Sequence, residues 1–315
     1  MTAPILGVDI GGTKIAVGIV DHEGKILRQD RKPMIANGTA QAGLDAVIGA
    51  IDWIMSDGEE ISSIGICAPG PLDPKSGVVL NPPNVPCWRN FPLAAEISSK
   101  YKVRVKVDND ANAAALAETR WGAARAYRYV FYATIGTGIG TGIVFDGVIY
   151  HGNTGSAAEG GHVSIDYKGP LCNCGKRGCI EVLASGPAIG SRARAKLEVE
   201  PSRASKLLEL AQGNITSVTS ETVARAYAAG DLVAKEVLHE TAELLTCWLG
   251  NIVDLLDPDV IVMGGGAAGM LKPFFPEITR TLPGWCVNPR AKEIPLAMAH
   301  YGADAGVAGG AALCA

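Results

Sequence analysis

The sequence predicts an α/β protein made of two similar domains, and three observations carry that reading. Short β-branched apolar runs alternate with amphipathic helical stretches along the 315 residues. A strand, glycine turn and strand unit occurs twice, as ILGVDIGGTKIAVGIV from Ile5 and VFYATIGTGIGTGIVF from Val130, about 125 residues apart. An internal repeat on that scale means two similar α/β domains facing each other rather than a solenoid. An apolar content of 48% at this length then fills a core large enough for both.

The elements follow in order. Ile5 to Ile10 is an apolar strand, which Gly11, Gly12 and Thr13 turn into a second run from Ile15 to Val20. Asp21 to Gly24 turns the chain again into Lys25 to Gln29, completing a three-strand meander. Leu44, Val47, Ile48, Ile51 and Ile54 fall at helical spacing. Ser63 to Ala68 and Val103 to Val107 read as strands, with a helix near Leu93 to Tyr101 between them. An Ala-rich helix then runs to about Trp121.

The second unit runs from Tyr129 to Ile135, turns at Gly136-Thr137-Gly138 and returns from Thr141 to Phe145. Asp146-Gly147 is a hairpin signal leading into Val148 to Tyr150. Helices are predicted over Pro187 to Lys196, Ala204 to Gln212, Ser220 to Ala229 and Leu232 to Leu256, the last stopped by Asp257-Pro258. Val260 to Met263 is a buried strand running into Gly264-Gly265-Gly266. A strand near Ile294 to Ala299 and a small-residue helix from Asp304 close the chain.

Net charge −4 and a pI near 5.8 give no electrostatic footprint for nucleic acid. No apolar run approaches the ~18 residues that span a bilayer, and the N-terminus lacks the regions of a signal peptide. These features predict a soluble, cytoplasmic protein. Of eight cysteines, Cys67, Cys87, Cys247, Cys286 and Cys314 are scattered and read as small core hydrophobes. The other three cluster. His162, Cys172, Cys174 and Cys179 form a Cys₃His set on short spacing, which predicts a closed, structural tetrahedral zinc site. Glu159 and Glu181 bracket the cluster, so the metal would fix two carboxylates beside a cavity. His162 can bind metal through one ring nitrogen and offer the other to a ligand.

The two glycine turns suggest paired phosphate clamps, because glycine lets backbone N–H groups approach an anion. Asp9 precedes the first turn, and Thr13 and Lys14 follow it; Thr134 takes the place of Asp9 in the second, where Thr137 adds a hydroxyl. Neither turn fits a P-loop, whose Lys must open a helix. Asp108, Asn109, Asp110 and Asn112 crowd a strand-to-helix junction where a cap needs only one of them. A carboxylate there can act as general base toward a hydroxyl, and Asp110 is the candidate. On spacing alone Asn84 is a turn residue. The Gly264–Gly266 run reads equally as a surface for a flat ring and as a strand-to-helix turn.

Taken in order, these motifs resemble the ROK family (repressors, open reading frames and kinases), especially its bacterial glucokinases. The matching pieces are DIGGTK at Asp9, PGPLD at Pro69, the loop from Asn84 to Trp88, DNDANAAALAE at Asp108 and IGTGIGTGIV at Ile135. EGGH at Glu159, CNCGKRGCIE at Cys172, DPDVIVMGGG at Asp257 and the Gly302 to Ala312 tail complete a match along the chain. The resemblance implies a two-lobed fold of actin/hexokinase type, each lobe on a ribonuclease-H-like sheet, with the active site in the interdomain cleft. The expected division is a small domain over 1–110, completed by the C-terminal helix at about 301–315, and a large domain over 111–300 carrying the zinc site.

By the same resemblance Asn84, Asn109, Asp110, Glu159, His162 and Glu181 hold a hexose, with Asp110 as base. Asp9, Gly11, Gly12, Thr13, Lys14, Thr137 and Gly138 handle Mg-ATP phosphates, and Gly265 and Gly266 meet the adenosine. The activity implied is ATP-dependent phosphorylation of a hexose, glucose first, by a homo-oligomer (dimer or tetramer) with no nucleic-acid or membrane partner. Alternatives within the family are a kinase for another hexose or N-acetylhexosamine, and use of polyphosphate. A sugar-responsive repressor would carry a DNA-binding domain ahead of Asp9, where only four residues precede the first strand.

Overall fold

A computed structural model describes residues 3–200 and 205–315. The chain forms two compact units, Met1–Tyr132 with Gly142–Ala158 and Ala299–Ala315, and Ala133–Thr141 with Glu159–Met298. The N-terminal meander is β1 (Ile5–Ile10), β2 (Lys14–Val20) and β3 (Ile26–Pro33), followed by α1 (Ala40–Ile54) and β4 (Ser63–Ala68). A short hairpin, β5 (Leu72–Asp73) and β6 (Val78–Val79), precedes α2 (Leu93–Tyr101), β7 (Arg104–Asn109) and α3 (Asp110–Arg120). The repeat is β8 (Tyr129–Ile135), β9 (Ile139–Phe145) and β10 (Val148–Ile149). Then come α4 (Ile180–Ala184), α5 (Gly186–Val199), α6 (Ser205–Leu210), α7 (Ser220–Ala228) and α8 (Leu232–Leu256). β11 (Val260–Gly264), α9 (Ala268–Leu271), α10 (Phe275–Thr281), β12 (Leu296–Met298) and α11 (Ala305–Cys314) end the chain. The helix expected from Ala204 begins at a residue outside those described; α6 covers its middle.

The first sheet has the order β3-β2-β1-β4-β7, antiparallel through β1, β2 and β3 and parallel from β1 to β4 to β7. Strand alternation sorts β1 cleanly. Leu6, Val8 and Ile10 enter a core with Leu44, Val47 and Ile51 of α1. Ile5 faces the other way, into a cluster with Val307, Ala311 and Cys314 of α11. Burying each large aliphatic side chain of this kind is worth about 1.5–3 kcal/mol. Gly65 of β4 lets α11 come within backbone contact: a methyl there would stand 1.7 Å from the Gly310 carbonyl oxygen. Helix α3 also packs on α11 within this unit. Its fully buried Glu118 accepts the N–H groups of His300 at 2.7 Å and Tyr301 at 3.0 Å on one oxygen, and Ala123 at 2.8 Å on the other.

The second sheet has the order β10-β9-β8-β11-β12. In the second unit α8 is the long central helix, capped by Asp231, whose Oδ1 accepts the Ala234 N–H at 2.9 Å, and packed by α4, α5, α7 and α10. It ends where expected, with Asp257 in the left-handed region at φ 43° ahead of Pro258. The strands and long helices thus lie where periodicity puts them. The β5–β6 hairpin, α4, α9 and α10 are too short for a periodic signal to show them. Among the described residues no helix is long and apolar enough to cross a membrane.

Candidate active site

In the first unit the sheet delivers its candidates at the C-terminal ends of β1 and β7 and in the loop at Asn84. The Gly11–Lys14 turn is closed by the Gly11 N–H donating to the Lys14 carbonyl at 2.8 Å. Thr13 and Lys14 are exposed at its tip, and the Gly12 and Thr13 N–H groups have no protein acceptor among the described residues. Asn84 packs on this turn: a methyl on Gly12 would fall 2.8 Å from the Asn84 carbonyl oxygen. Asp9 sits beside α11, its carboxyl carbon 2.3 Å from where a methyl on Gly306 would stand. Burial, with the nearby Asp110 carboxylate adding to it, raises the Asp9 pKa from 3.8 to about 6; Arg31 offsets part of this.

Asn109 is the N-cap of α3, with its Oδ1 accepting the Ala111 N–H at 2.9 Å and the Asn112 N–H at 3.4 Å. That commits the amide oxygen and leaves Nδ2, which lies beside Gly70, as a donor. Asp110 Oδ1 accepts the Ala111 N–H at 2.8 Å. Although the Asp110 side chain reaches solvent, protein surrounds it closely, and that desolvation pushes its carboxyl up against the pull of its hydrogen bonds. A base poised above the usual carboxylate range suits proton abstraction near neutral pH.

In the second unit the Gly136–Gly138 turn is closed by the Gly136 N–H on the Gly138 carbonyl at 2.9 Å. Thr137 is exposed, and the N–H groups of Thr137 and Gly138 have no protein acceptor among the described residues. Glu181, in the first turn of α4, lies against this turn. Its Oε2 accepts the Ile139 N–H at 2.9 Å and would be 2.5 Å from a methyl on Gly138. Its Oε1 lies 4.0 Å from His162 Nδ1. The Glu159–His162 segment is pinned at Gly160, whose N–H donates to Thr141 Oγ1 at 2.8 Å and whose carbonyl accepts Trp248 Nε1–H at 3.0 Å. Glu159 is exposed at its edge.

The donor atoms of His162, Cys172, Cys174 and Cys179 lie within 4.8 Å of one another. Cys172 Sγ is 3.7 Å from His162 Nδ1, and Cys174 Sγ is 3.6 Å from Cys179 Sγ. A zinc tetrahedron with bonds of about 2.3 Å has edges of about 3.8 Å, so the donor set fits that ion and is too open for a disulfide. The Lys176 backbone N–H, the main cause, holds the Cys174 thiol below its ordinary range, which favours a thiolate ligand.

Gly266 and Thr137 line one cavity of about 570 Å³ in this unit, with Arg194 of α5 and Thr219, Ser220 and Glu221 at the start of α7. Gly265 packs on the repeat strand, a methyl there falling 2.6 Å from Thr134 Oγ1. Arg194 and Glu221 escape a reading of the sequence because both sit on helices with ordinary caps. No local spacing links them to the glycine turns.

The sheet order, the repeated turn and the helices packed on each sheet define a protein of the actin/hexokinase-like fold class. The chain belongs to the ROK family, whose pattern matches residues 5–315. A glucokinase of Streptomyces coelicolor is 36% identical over 312 residues, covering 98% of this chain and 96% of its own. An N-acetylmannosamine kinase of Citrobacter koseri is 30% identical over 310 residues, covering 98% and 97%. The crystal structure of a ROK family glucokinase from Streptomyces griseus in complex with glucose and AMPPNP superposes with a TM-score of 0.83. It is 35% identical and covers 99% of both chains.

Proposed function

We infer that this protein is an ATP-dependent hexose kinase that converts glucose to glucose 6-phosphate. The observation that carries the reading is Asp110: a carboxylate with a raised pKa at the end of β7, in a chain similar along its whole length to glucokinases. Asn84, Asn109, Glu159, His162 and Glu181 are assigned the sugar hydroxyls, which carboxylates and amides grip by charge-assisted or paired hydrogen bonds. Asp110 takes the proton of the attacking hydroxyl, and that oxygen bonds to the γ-phosphorus of ATP. The bond from that phosphorus to the bridging oxygen breaks, ADP leaves, and Asp110 returns its proton to solvent.

Gly11, Gly12, Thr13 and Lys14 on one turn, and Thr137 and Gly138 on the other, are assigned the phosphates, chiefly through the N–H groups of Gly12, Thr13, Thr137 and Gly138, which have no protein acceptor among the described residues. Gly265 and Gly266 are assigned the adenosine, and the neighbouring cavity supports this. Asp9 would hold Mg²⁺ directly or through water, and the bound ion would neutralise charge on the phosphate oxygens. His162, Cys172, Cys174 and Cys179 would hold a structural zinc with no open position for catalysis, fixing the segment that carries Glu159 and Glu181. The reading includes a cytoplasmic setting, where ATP is available, and a dimer or tetramer. Exposed Leu255, Trp285 and Val287 support the latter.

An ADP-release assay on Asp110→Asn tests the base. Loss of turnover by about 10²–10⁴-fold, or about 3–5 kcal/mol in the barrier, is expected, and near-normal turnover in a folded variant sinks the assignment. The similarity to an N-acetylmannosamine kinase favours one second reading, an N-acetylhexosamine kinase. Running the same assay over a panel of glucose, other hexoses and N-acetylhexosamines decides between them by kcat/KM.

A further inference from the structure

Asp108 stands one residue before the sugar-binding corner and has no part in the chemistry above, yet its side chain is only 6% exposed. A buried carboxylate must be fully partnered, and its donors are specific. Oδ1 accepts the Asn109 backbone N–H at 2.7 Å and the Asn112 amide at 3.3 Å. Oδ2 meets His151 Nε2 at 2.6 Å, across 43 residues of sequence. An ionised carboxylate only accepts, so Nε2 of His151 carries the hydrogen in this pair.

The bonds around this corner form a short chain. His151 holds Asp108, Asp108 holds the Asn109 peptide, and Asn109 caps the helix whose first residue is Asp110. Few other contacts hold the Asp108 carboxylate. The Asn112 bond is long, and Asn112 Oδ1, itself buried, finds no partner among the described residues. Without His151, Oδ2 would lose its short bond, and the Asp108 carboxylate would keep only the Asn109 N–H and one weak contact, although the β4–β7 ladder still holds the backbone. Side chains that must meet a substrate to within fractions of an ångström depend on such support.

We propose that His151 is a positioning residue for phosphoryl transfer, holding Asp108 and through it the Asn109–Asp110 corner in the orientation that meets the hexose. This rests on Asp110 being the base. The test is steady-state kinetics of the full chain with glucose and Mg-ATP, on His151→Ala, His151→Gln, Asp108→Asn and the His151→Ala/Asp108→Asn double variant. Urea midpoints report folding in parallel. His151→Ala should lower kcat/KM for glucose on the order of 10- to 100-fold and leave KM for ATP unchanged. Glutamine offers a donor at similar reach, so His151→Gln should recover most of the loss.

Asp108→Asn, which keeps the shape of the side chain, should reproduce the loss, and the double variant should be no worse than the poorer single one. If His151→Ala fails to fold, the comparison of Asp108→Asn with His151→Gln carries the test alone. Native glucose kinetics in either His151→Ala or Asp108→Asn would overturn the inference. So would His151→Gln no better than His151→Ala, or a loss that falls equally on KM for ATP. Near-normal turnover of Asp110→Asn would remove the base and the inference together. An inactive Asp110→Asn beside a native His151→Ala would remove the inference alone.

Discussion

Replacing Asp9 by Asn should make the protein a poorer enzyme and a more stable fold, and the second effect should depend on pH. In the folded chain the Asp9 pKa rises from 3.8 to about 6, first through burial and then through the Asp110 charge. The folded state therefore binds this proton more tightly than the unfolded chain does. Asp9 costs the fold nothing below about pH 4, and stability is lost as pH rises from there through about 6. At about 1.4 kcal/mol for each pH unit between the two values, ionised Asp9 costs about 3 kcal/mol at pH 8, a ceiling because the carboxyl keeps some solvent contact. Urea midpoints from pH 4 to 8, in EDTA to exclude Mg²⁺, measure it. Asp9→Asn should match the parent near pH 4 and exceed it increasingly up to about pH 7, while turnover falls on the order of 10²–10³-fold. An Asn variant less stable than the parent at pH 8, or one whose advantage does not change with pH, would refute the burial argument. Asp110→Asn should shrink this Asp9 contribution and end it at lower pH, since it removes the second cause.

Three further outcomes follow from other residues. Glu118→Ala removes a buried carboxylate that accepts three backbone N–H groups and should cost about 3–5 kcal/mol by denaturant titration, with Gln recovering part; a loss under about 1 kcal/mol would show that these bonds are replaceable. Gly65→Ala places a methyl 1.7 Å from a carbonyl oxygen and should cost about 3 kcal/mol or prevent folding, whereas a native melting temperature would disprove the close packing of α11. Cys174→Ser should release zinc, measured by a chelating dye, and raise KM for glucose with little change in KM for ATP. Equal metal content in variant and parent would remove Cys174 from the ligand set.

The features legible in the sequence are those with a local cause. DIGGTK and IGTGIG show as turns because their glycines interrupt β-branched apolar runs. The Cys₃His set shows because its four members fall within 18 residues of chain, His162 to Cys179. The helix at Asp110 shows through its cap and its alanines. Long-range pairings stay hidden. His151 reads as a residue after a strand, and nothing near it announces a bond to Asp108. Arg194 and Glu221 read as helix surface until the fold places both at the cavity beside Thr137. Short elements such as α4 and the β5–β6 hairpin are hidden for another reason: a period cannot be read from two to five residues.

The packing of α11 on β1 and β4 also bears on the order in which the chain can mature. Leu6, Val8 and Ile10 can find their partners in α1 soon after synthesis, but Ile5 must wait for Val307, Ala311 and Cys314. The second unit draws on nothing beyond Met298 and can finish first, although the first unit starts the chain. A nascent chain therefore carries one open apolar sheet face through most of its translation. Chaperone binding there, or premature termination before residue 299, would decide its fate before any substrate could.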